Sequence, residues 1–225
     1  MKKLLIFKNI KRGFSIAVEN IGLLISCFVI ALLASLITGV VYEMFALGFV
    51  FSIVLTTVFE VGLINVSLKA VRSKEKPEFK DLFSKIELIG AVIVANIFIL
   101  GITLGLLTGM LGLAELTMTI SPIITLALGV LILGLVVYIV IGFVFATYVI
   151  VDKEKGPIDA IKKSWKIISK VRIRLFALFA LLVLINLLGL LAFIVGIFIT
   201  VPATFVILAL TYLDLYEQTY NSEAI

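Results

Sequence analysis

The feature that most constrains this sequence is a series of six apolar stretches, each long enough to cross a membrane as a helix. The hydrocarbon core of a bilayer is about 30 Å thick, and an α-helix needs about 20 residues to span it. We therefore predict an all-α, polytopic integral membrane protein that forms one membrane domain over residues 1–225. The predicted transmembrane helices are 17–42, 46–71, 88–113, 121–150, 172–194 and 197–216.

Composition supports the same class of protein. Hydrophobic residues make up 63% of the chain and charged residues 15%, whereas soluble domains carry about 25% charged residues. The fourth apolar stretch is longer than a bilayer requires. It is predicted to tilt, to bend near Gly129 and Gly134, or to extend past the membrane.

The placement of charge predicts the orientation. All 19 Lys and Arg residues lie in the N-terminal segment, in the connection 69–85 or in the connection 153–174, and the opposite loops contain none. The positive-inside rule therefore places both ends in the cytoplasm of a cell-membrane protein. The N-terminal apolar run 4–7 is too short for a cleaved signal peptide. Because the basic residues flank apolar spans, we expect them to meet anionic lipid headgroups and not nucleic acid.

Three basic segments each precede two predicted spans, at 7–14, 77–86 and 157–168. Pro77 and Pro157 suit the first position of a helix, where a missing N–H costs nothing. Apolar residues then recur with helical spacing and lysines occupy the other face, which is typical of an amphipathic helix lying in the membrane interface. The arrangement also predicts a threefold repeat, and Lys74-Glu75-Lys76 and Lys153-Glu154-Lys155 match across it.

The third basic segment carries the predicted interfacial anchors. Aromatic rings and lysines at this depth are expected to contact membrane lipids, including anionic headgroups at the inner surface. A simpler interpretation is that the three segments only connect spans and set their orientation. The predicted anchors are Trp165, Lys162, Lys163 and Lys166.

The residue types argue against catalysis. The sequence contains no His, and its single cysteine, Cys27, lies inside an apolar run. A Ser-His-Asp triad and a His-based zinc helix therefore have no residues to form them. Neither a Gly-rich phosphate loop nor a Cys cluster for a metal is present. We expect a protein without enzyme activity, metal or cofactor.

Glu60 is the one carboxylate well inside a predicted span. At 1.5 Å per residue from the basic ends of their helices, Glu60, Asn96 and Asn186 lie roughly 16, 12 and 20 Å deep. The three side chains could meet in a polar layer between the second, third and fifth spans. One interpretation is a site that handles an ion or proton. The other is a protonated carboxyl group that joins helices by hydrogen bonds.

Small residues form a stripe on the third predicted span, at Gly101, Gly105 and Gly109. Such spacing lets two helix backbones approach closely, which is how helices associate in lipid. We predict a packing surface that serves either within the chain or between chains. A partner membrane protein or a second copy of the chain would fit it.

The third unit resembles a known group of proteins. Its pattern comprises Gly156-Pro157, Ala160, Lys163-Ser164-Trp165, Gly189, Gly196, Thr200-Val201-Pro202 and Tyr212. This pattern is similar to that of widespread uncharacterised prokaryotic multi-pass proteins and of the membrane domain fused to some glycerophosphodiester phosphodiesterases. That resemblance implies six helices with cytoplasmic ends and no catalytic residue, since the soluble phosphodiesterase domain has no counterpart here.

Three functions remain open from the sequence. The first is a non-catalytic scaffold, assembly factor or accessory subunit that acts through helix packing and lipid contact. The second is a small transporter or pore with its polar site at Glu60, since repeats around a midplane site are typical of transporters. An enzyme comes third, because nothing in the spacing of Glu, Asp, Ser or Tyr indicates a reaction.

Overall fold

The computed structural model describes residues 4–44, 48–72, 76–192 and 196–220, with the side chains of 38–44 outside that description. Within these ranges the chain is helical and has no strand, which confirms the all-α class. Two short 3-10 turns, Phe79–Leu82 and Ile86–Leu88, join the third helix to the fourth. The α-helices are α1 (Ile6–Glu19), α2 (Ile21–Met44), α3 (Gly48–Arg72), α4 (Ile89–Met118), α5 (Pro122–Phe143), α6 (Ala146–Lys153), α7 (Pro157–Ile168), α8 (Arg172–Leu191) and α9 (Ile197–Tyr220).

Five helical segments of the described chain are long and apolar enough to cross a membrane. They are α3, α4 with the preceding turns, α5 with α6, α8, and α9. A sixth is obtained if α1 and α2, which meet at a bend of 88°, count as one broken span. The predicted ends at 46–47 and 193–194 lie outside the described residues.

The start of the first predicted span, at residue 17, is wrong. Residues 17–19 belong to α1, and the chain turns at Asn20 before α2 begins. The Asn20 amide donates a hydrogen bond to the Ile16 carbonyl at 2.9 Å. α1 crosses α9 at Gly13, where an added Cβ would lie 2.5 Å from a side-chain atom of Ile207. This close packing holds α1 against the protein at a steep angle to α2.

The second basic segment is not the predicted amphipathic helix. The backbone of Leu82 lies against α3 at Gly62, where an added Cβ would be 2.2 Å from the Leu82 carbonyl oxygen. The Asn65 amide donates to the Asp81 carbonyl at 2.8 Å, and Lys69 pairs with the Asp81 carboxylate. These contacts with α3 hold the segment in short turns and override its helical periodicity. The threefold repeat stays a prediction, and two residues of its sequence match, 74 and 75, lie outside the described residues.

The fourth predicted span is broken. α5 ends at Phe143 and α6 begins at Ala146, so the discontinuity lies well past the predicted bends at Gly129 and Gly134. The Ser164 hydroxyl of α7 donates to the Gly142 carbonyl at 2.8 Å and accepts from the Phe145 N–H at 3.2 Å. One buried hydroxyl therefore satisfies two backbone groups beside the break, and a non-helical backbone inside a membrane requires such partners.

Burial divides the molecule into two parts. Every residue from 61 to 68 of α3 and from 145 to 151 around α6 is buried. We call α3, α6, α7 and the second half of α9 the helix core. By contrast, no residue from 96 to 135 is buried, and we call this part of α4 and α5 the distal hairpin. The basic connections 69–85 and 153–174 join helices at one end of the core, the basic end.

Candidate functional site

Glu60 and Asn96 meet where α3 passes α4. The Asn96 amide donates a hydrogen bond to the Glu60 carboxyl group, with 3.2 Å between Nδ2 and Oε2. The Thr147 hydroxyl of α6 forms a second hydrogen bond to the same carboxyl group. Both partners are neutral, so Glu60 joins three helices through polar contacts without an opposite charge.

Glu60 also lines a groove between α3 and α4, of about 320 Å³. Ser52, Thr56 and Glu60 are spaced four residues apart and present polar atoms along one face of α3. Because the groove extends from Glu60 to Phe49, it runs from the middle of α3 to the end away from the basic connections. The remaining walls are Ile53, Thr57, Ile93, Asn96, Ile97 and Leu100.

The break in the fourth span lies beside this site. Thr147 is the second residue of α6, directly after the discontinuity. Its neighbour Tyr148 is 4% exposed and interacts electrostatically with Glu60. The Tyr148 hydroxyl has no hydrogen-bond partner among the described residues. The site thus combines carboxylate, amide and hydroxyl oxygens, which are suitable ligands for a small cation.

Asn186 does not join Glu60 and Asn96. Its amide nitrogen donates to the Thr204 hydroxyl and to the Leu182 carbonyl, both at 3.0 Å, so it connects α8 to α9. The prediction rested on depth along the helices, and equal depth does not specify which face of a helix carries a residue.

The glycine stripe at Gly101, Gly105 and Gly109 makes no contact within the described chain. An added Cβ at any of the three would meet nothing within 4 Å. The stripe therefore does not pack against another helix of the same described chain. The glycines that do permit close approach lie elsewhere and include Gly13, Gly62, Gly142, Gly189 and Gly196.

The predicted anchors largely contact protein. The Trp165 ring packs on Gly142, where an added Cβ would lie 2.5 Å from the ring. Lys163 and Lys166 place their ammonium groups 5.8 and 5.1 Å from the centre of the Tyr220 ring. Lys162 is exposed. Because its ring packs on Gly142, next to the break in the fourth span, Trp165 helps to stabilise that break.

A second polar network was not predicted from the sequence. The Asp152 side chain is 1% exposed and pairs with Arg72 and Lys153. It also accepts a hydrogen bond from the Tyr212 hydroxyl at 2.9 Å. The network joins α3, α6 and α9 at the basic end. The only signal in the sequence is an Asp directly after an apolar run, which does not indicate its partners.

A search for family models, for similar curated proteins and for similar solved structures finds no match for this chain. The resemblance of the third unit to multi-pass and phosphodiesterase membrane domains therefore stays a prediction. The fold defines the class of protein: the described part of the chain is helical, with five helices, or six if the bent pair counts as one span, that are long and apolar enough to cross a membrane.

Proposed function

We propose that this chain is a non-catalytic integral membrane protein that binds a small cation or a proton at Glu60, in the manner of a small transporter or pore. The observation that carries the proposal is the position of Glu60, at the inner end of the groove between α3 and α4 and beside a broken helix. Transporters of known type place their sites near the membrane midplane where helices are discontinuous. Both ends lie in the cytoplasm in this proposal, and the protein belongs to the cell membrane.

The chemistry of the site favours a cation over an anion. Glu60 has only neutral hydrogen-bond partners, and the nearest basic residue on α3 is Lys69, nine positions away. A bare carboxylate at this depth costs about 2.5–3.5 kcal/mol on insertion scales. A bound proton or monovalent cation removes that cost, and exchange of the two at Glu60 would carry one ion in and the other out along the groove without net movement of charge.

Flux into proteoliposomes tests this proposal. Glu60→Gln keeps the shape of the side chain but removes the titratable group and one of the two oxygens that can accept hydrogen bonds from Asn96 and Thr147. We expect the variant to reduce sodium-driven or proton-driven flux to the level of empty vesicles. Glu115→Gln is the matched control, since Glu115 lies exposed near the far end of α4 and outside the groove.

A second result separates transport from a purely structural role. If Glu60 only joins α3, α4 and α6, Glu60→Gln will lower the unfolding midpoint in detergent while any flux persists. That outcome would contradict the proposal. Flux that persists with an unchanged midpoint would contradict it equally.

A scaffold or accessory subunit is the second candidate. The observation that favours it is the open glycine stripe on α4, which leaves room for a neighbouring helix at Gly101, Gly105 and Gly109. Gly105→Leu would block such an approach, and its Cβ would meet nothing within 4 Å in the described chain. Under this candidate the variant loses a second copy or a partner membrane protein on extraction in mild detergent. If its assembly state equals that of the unaltered protein, the stripe faces lipid.

A further inference from the structure

Arg172, the first residue of α8, lies between two aromatic rings. Its guanidinium carbon is 3.9 Å from the centre of the Tyr138 ring and 4.2 Å from that of Trp165. The two rings stand edge to face, with their centres 5.9 Å apart. Cation–π contacts of this kind hold the guanidinium plane and leave its N–H groups to bind elsewhere.

Two nitrogens of this guanidinium, Nε and Nη1, are buried and have no hydrogen-bond partner among the described residues. Buried donors without an acceptor are costly, particularly on a charged group. No acidic side chain is available nearby in the sequence, because residues 160–213 contain no Asp or Glu but six Lys and Arg. The chemistry that fits a held guanidinium is a phosphate, which it binds through paired hydrogen bonds.

Arg172 also lines a groove of about 190 Å³ between α5 and α8. Arg172 and Tyr138 are the polar residues that line this groove, and its other walls are apolar. A soluble phosphate would gain nothing from those walls, whereas a lipid would place an acyl chain against them. The apolar lining residues are Gly134, Val137, Ile141, Ile173 and Phe176.

We propose that the α5–α8 groove binds one anionic phospholipid, with the headgroup phosphate on Arg172 and an acyl chain along α5. The local excess of basic residues attracts anionic lipids to this end of the molecule. The site is separate from Glu60, and its existence does not depend on the transport proposal.

Native mass spectrometry of the purified full-length protein, titrated with phosphatidylglycerol in detergent, tests the proposal. We expect one tightly held lipid in the unaltered protein and binding weaker by about tenfold or more in Arg172→Gln, as expected for losing charge-assisted hydrogen bonds. Arg174→Gln is the matched control, because it removes the same charge from the same turn. Arg174 is exposed and lines a different pocket with Leu5, Phe7 and Lys8. Equal binding by the unaltered protein and Arg172→Gln would overturn the proposal.

A second variant tests the groove without altering the charge. Gly134→Leu fills the apolar part of the groove, and since nothing lies within 4 Å of an added Cβ there, the fold should accept it. We expect this variant to lose the lipid although Arg172 is intact, and it decides the question if Arg172→Gln does not fold. Retention of the lipid by Gly134→Leu would overturn the proposal. Binding of free glycerol 3-phosphate as tight as that of the lipid would overturn it too, because the apolar walls would then contribute nothing.

Discussion

The helix core and the distal hairpin both contain helices that are long and apolar enough to cross a membrane, but the more apolar hairpin is the less buried of the two. In the most apolar windows of α3 and α9, 44% of residues are buried, compared with 6% in the span formed by α5 and α6. In lipid, apolar surface alone does not drive helices together, so association needs close backbone approach or polar contacts. The core has both, at Gly62 and at Ser164. In the described distal hairpin an added Cβ on the glycines meets nothing within 4 Å, and a single pair of hydroxyl groups, Thr117 and Thr125 at 2.8 Å, joins its two helices.

The helix core and the distal hairpin should differ most in the stability that each loses when one of its glycines is replaced by alanine. Gly62→Ala in the core would place a Cβ 2.2 Å from the Leu82 carbonyl oxygen, which is backbone and cannot rotate away. We expect a loss of about 3 kcal/mol in the free energy of unfolding, at the upper end for overpacking. Thermal or denaturant unfolding of the purified protein in detergent measures it.

Gly105→Ala in the distal hairpin is the matched substitution. Because an added Cβ there meets nothing, we expect the stability to change by less than about 0.5 kcal/mol. Equal losses at Gly62 and Gly105 would show that the hairpin is as closely packed as the core and would remove the distinction between them.

An intermediate effect is expected from Ser164→Ala. The substitution removes the hydroxyl that bridges the break in the fourth span and leaves the Gly142 carbonyl and the Phe145 N–H without their buried partner. We expect a loss of about 1–2 kcal/mol, measured in the same unfolding experiment. Ser169→Ala, an exposed serine just after α7, should have almost no effect. A neutral result at Ser164 would show that the break does not depend on this hydroxyl.

The smallest effect concerns the charged surface of the core. The hydrogen bond and charge of Lys85 lower the pKa of the exposed Glu154 carboxyl group. A lowered pKa means that the pair stabilises the folded state above the pKa of the unfolded chain and stops doing so as the pH falls through the folded-state value.

We therefore expect Glu154→Gln to be slightly less stable than the unaltered protein at neutral pH and equal to it in acid. Parallel melting curves at the two pH values measure this. Glu87→Gln, an exposed carboxylate in the same region, serves as the control. A difference that persists in acid would rule out the ion pair as its cause.

The helices of this fold could be predicted from the sequence because long apolar runs have one solution in a membrane. The contact between Glu60 and Asn96 could also be predicted, since both side chains are polar and were expected at similar depth. Asn186 was misplaced for a related reason. The prediction used depth alone, but the face of α8 that carries Asn186 depends on packing against α9.

The features of the fold that could not be predicted depend on contacts between distant parts of the chain. The segment 77–86 has helical periodicity, yet α3 approaches it at Gly62 and holds it in turns. The break after Phe143 is set by Ser164 and Trp165, which follow it by about 20 residues. Gly142 was the available sequence signal for the break. Two other glycines in the same span, Gly129 and Gly134, make no comparable contact, and sequence context does not distinguish them from Gly142.

The position of Trp165 gives the protein an optical reporter of its own. It is the only tryptophan in the chain, and its ring touches both Gly142 at the helix break and the Arg172 guanidinium. Its emission therefore originates from one known place, where the dielectric surroundings depend on the fourth span and on any anion bound to Arg172. Fluorescence lifetime and quenching of the unlabelled protein can follow both events, without a dye or an added cysteine.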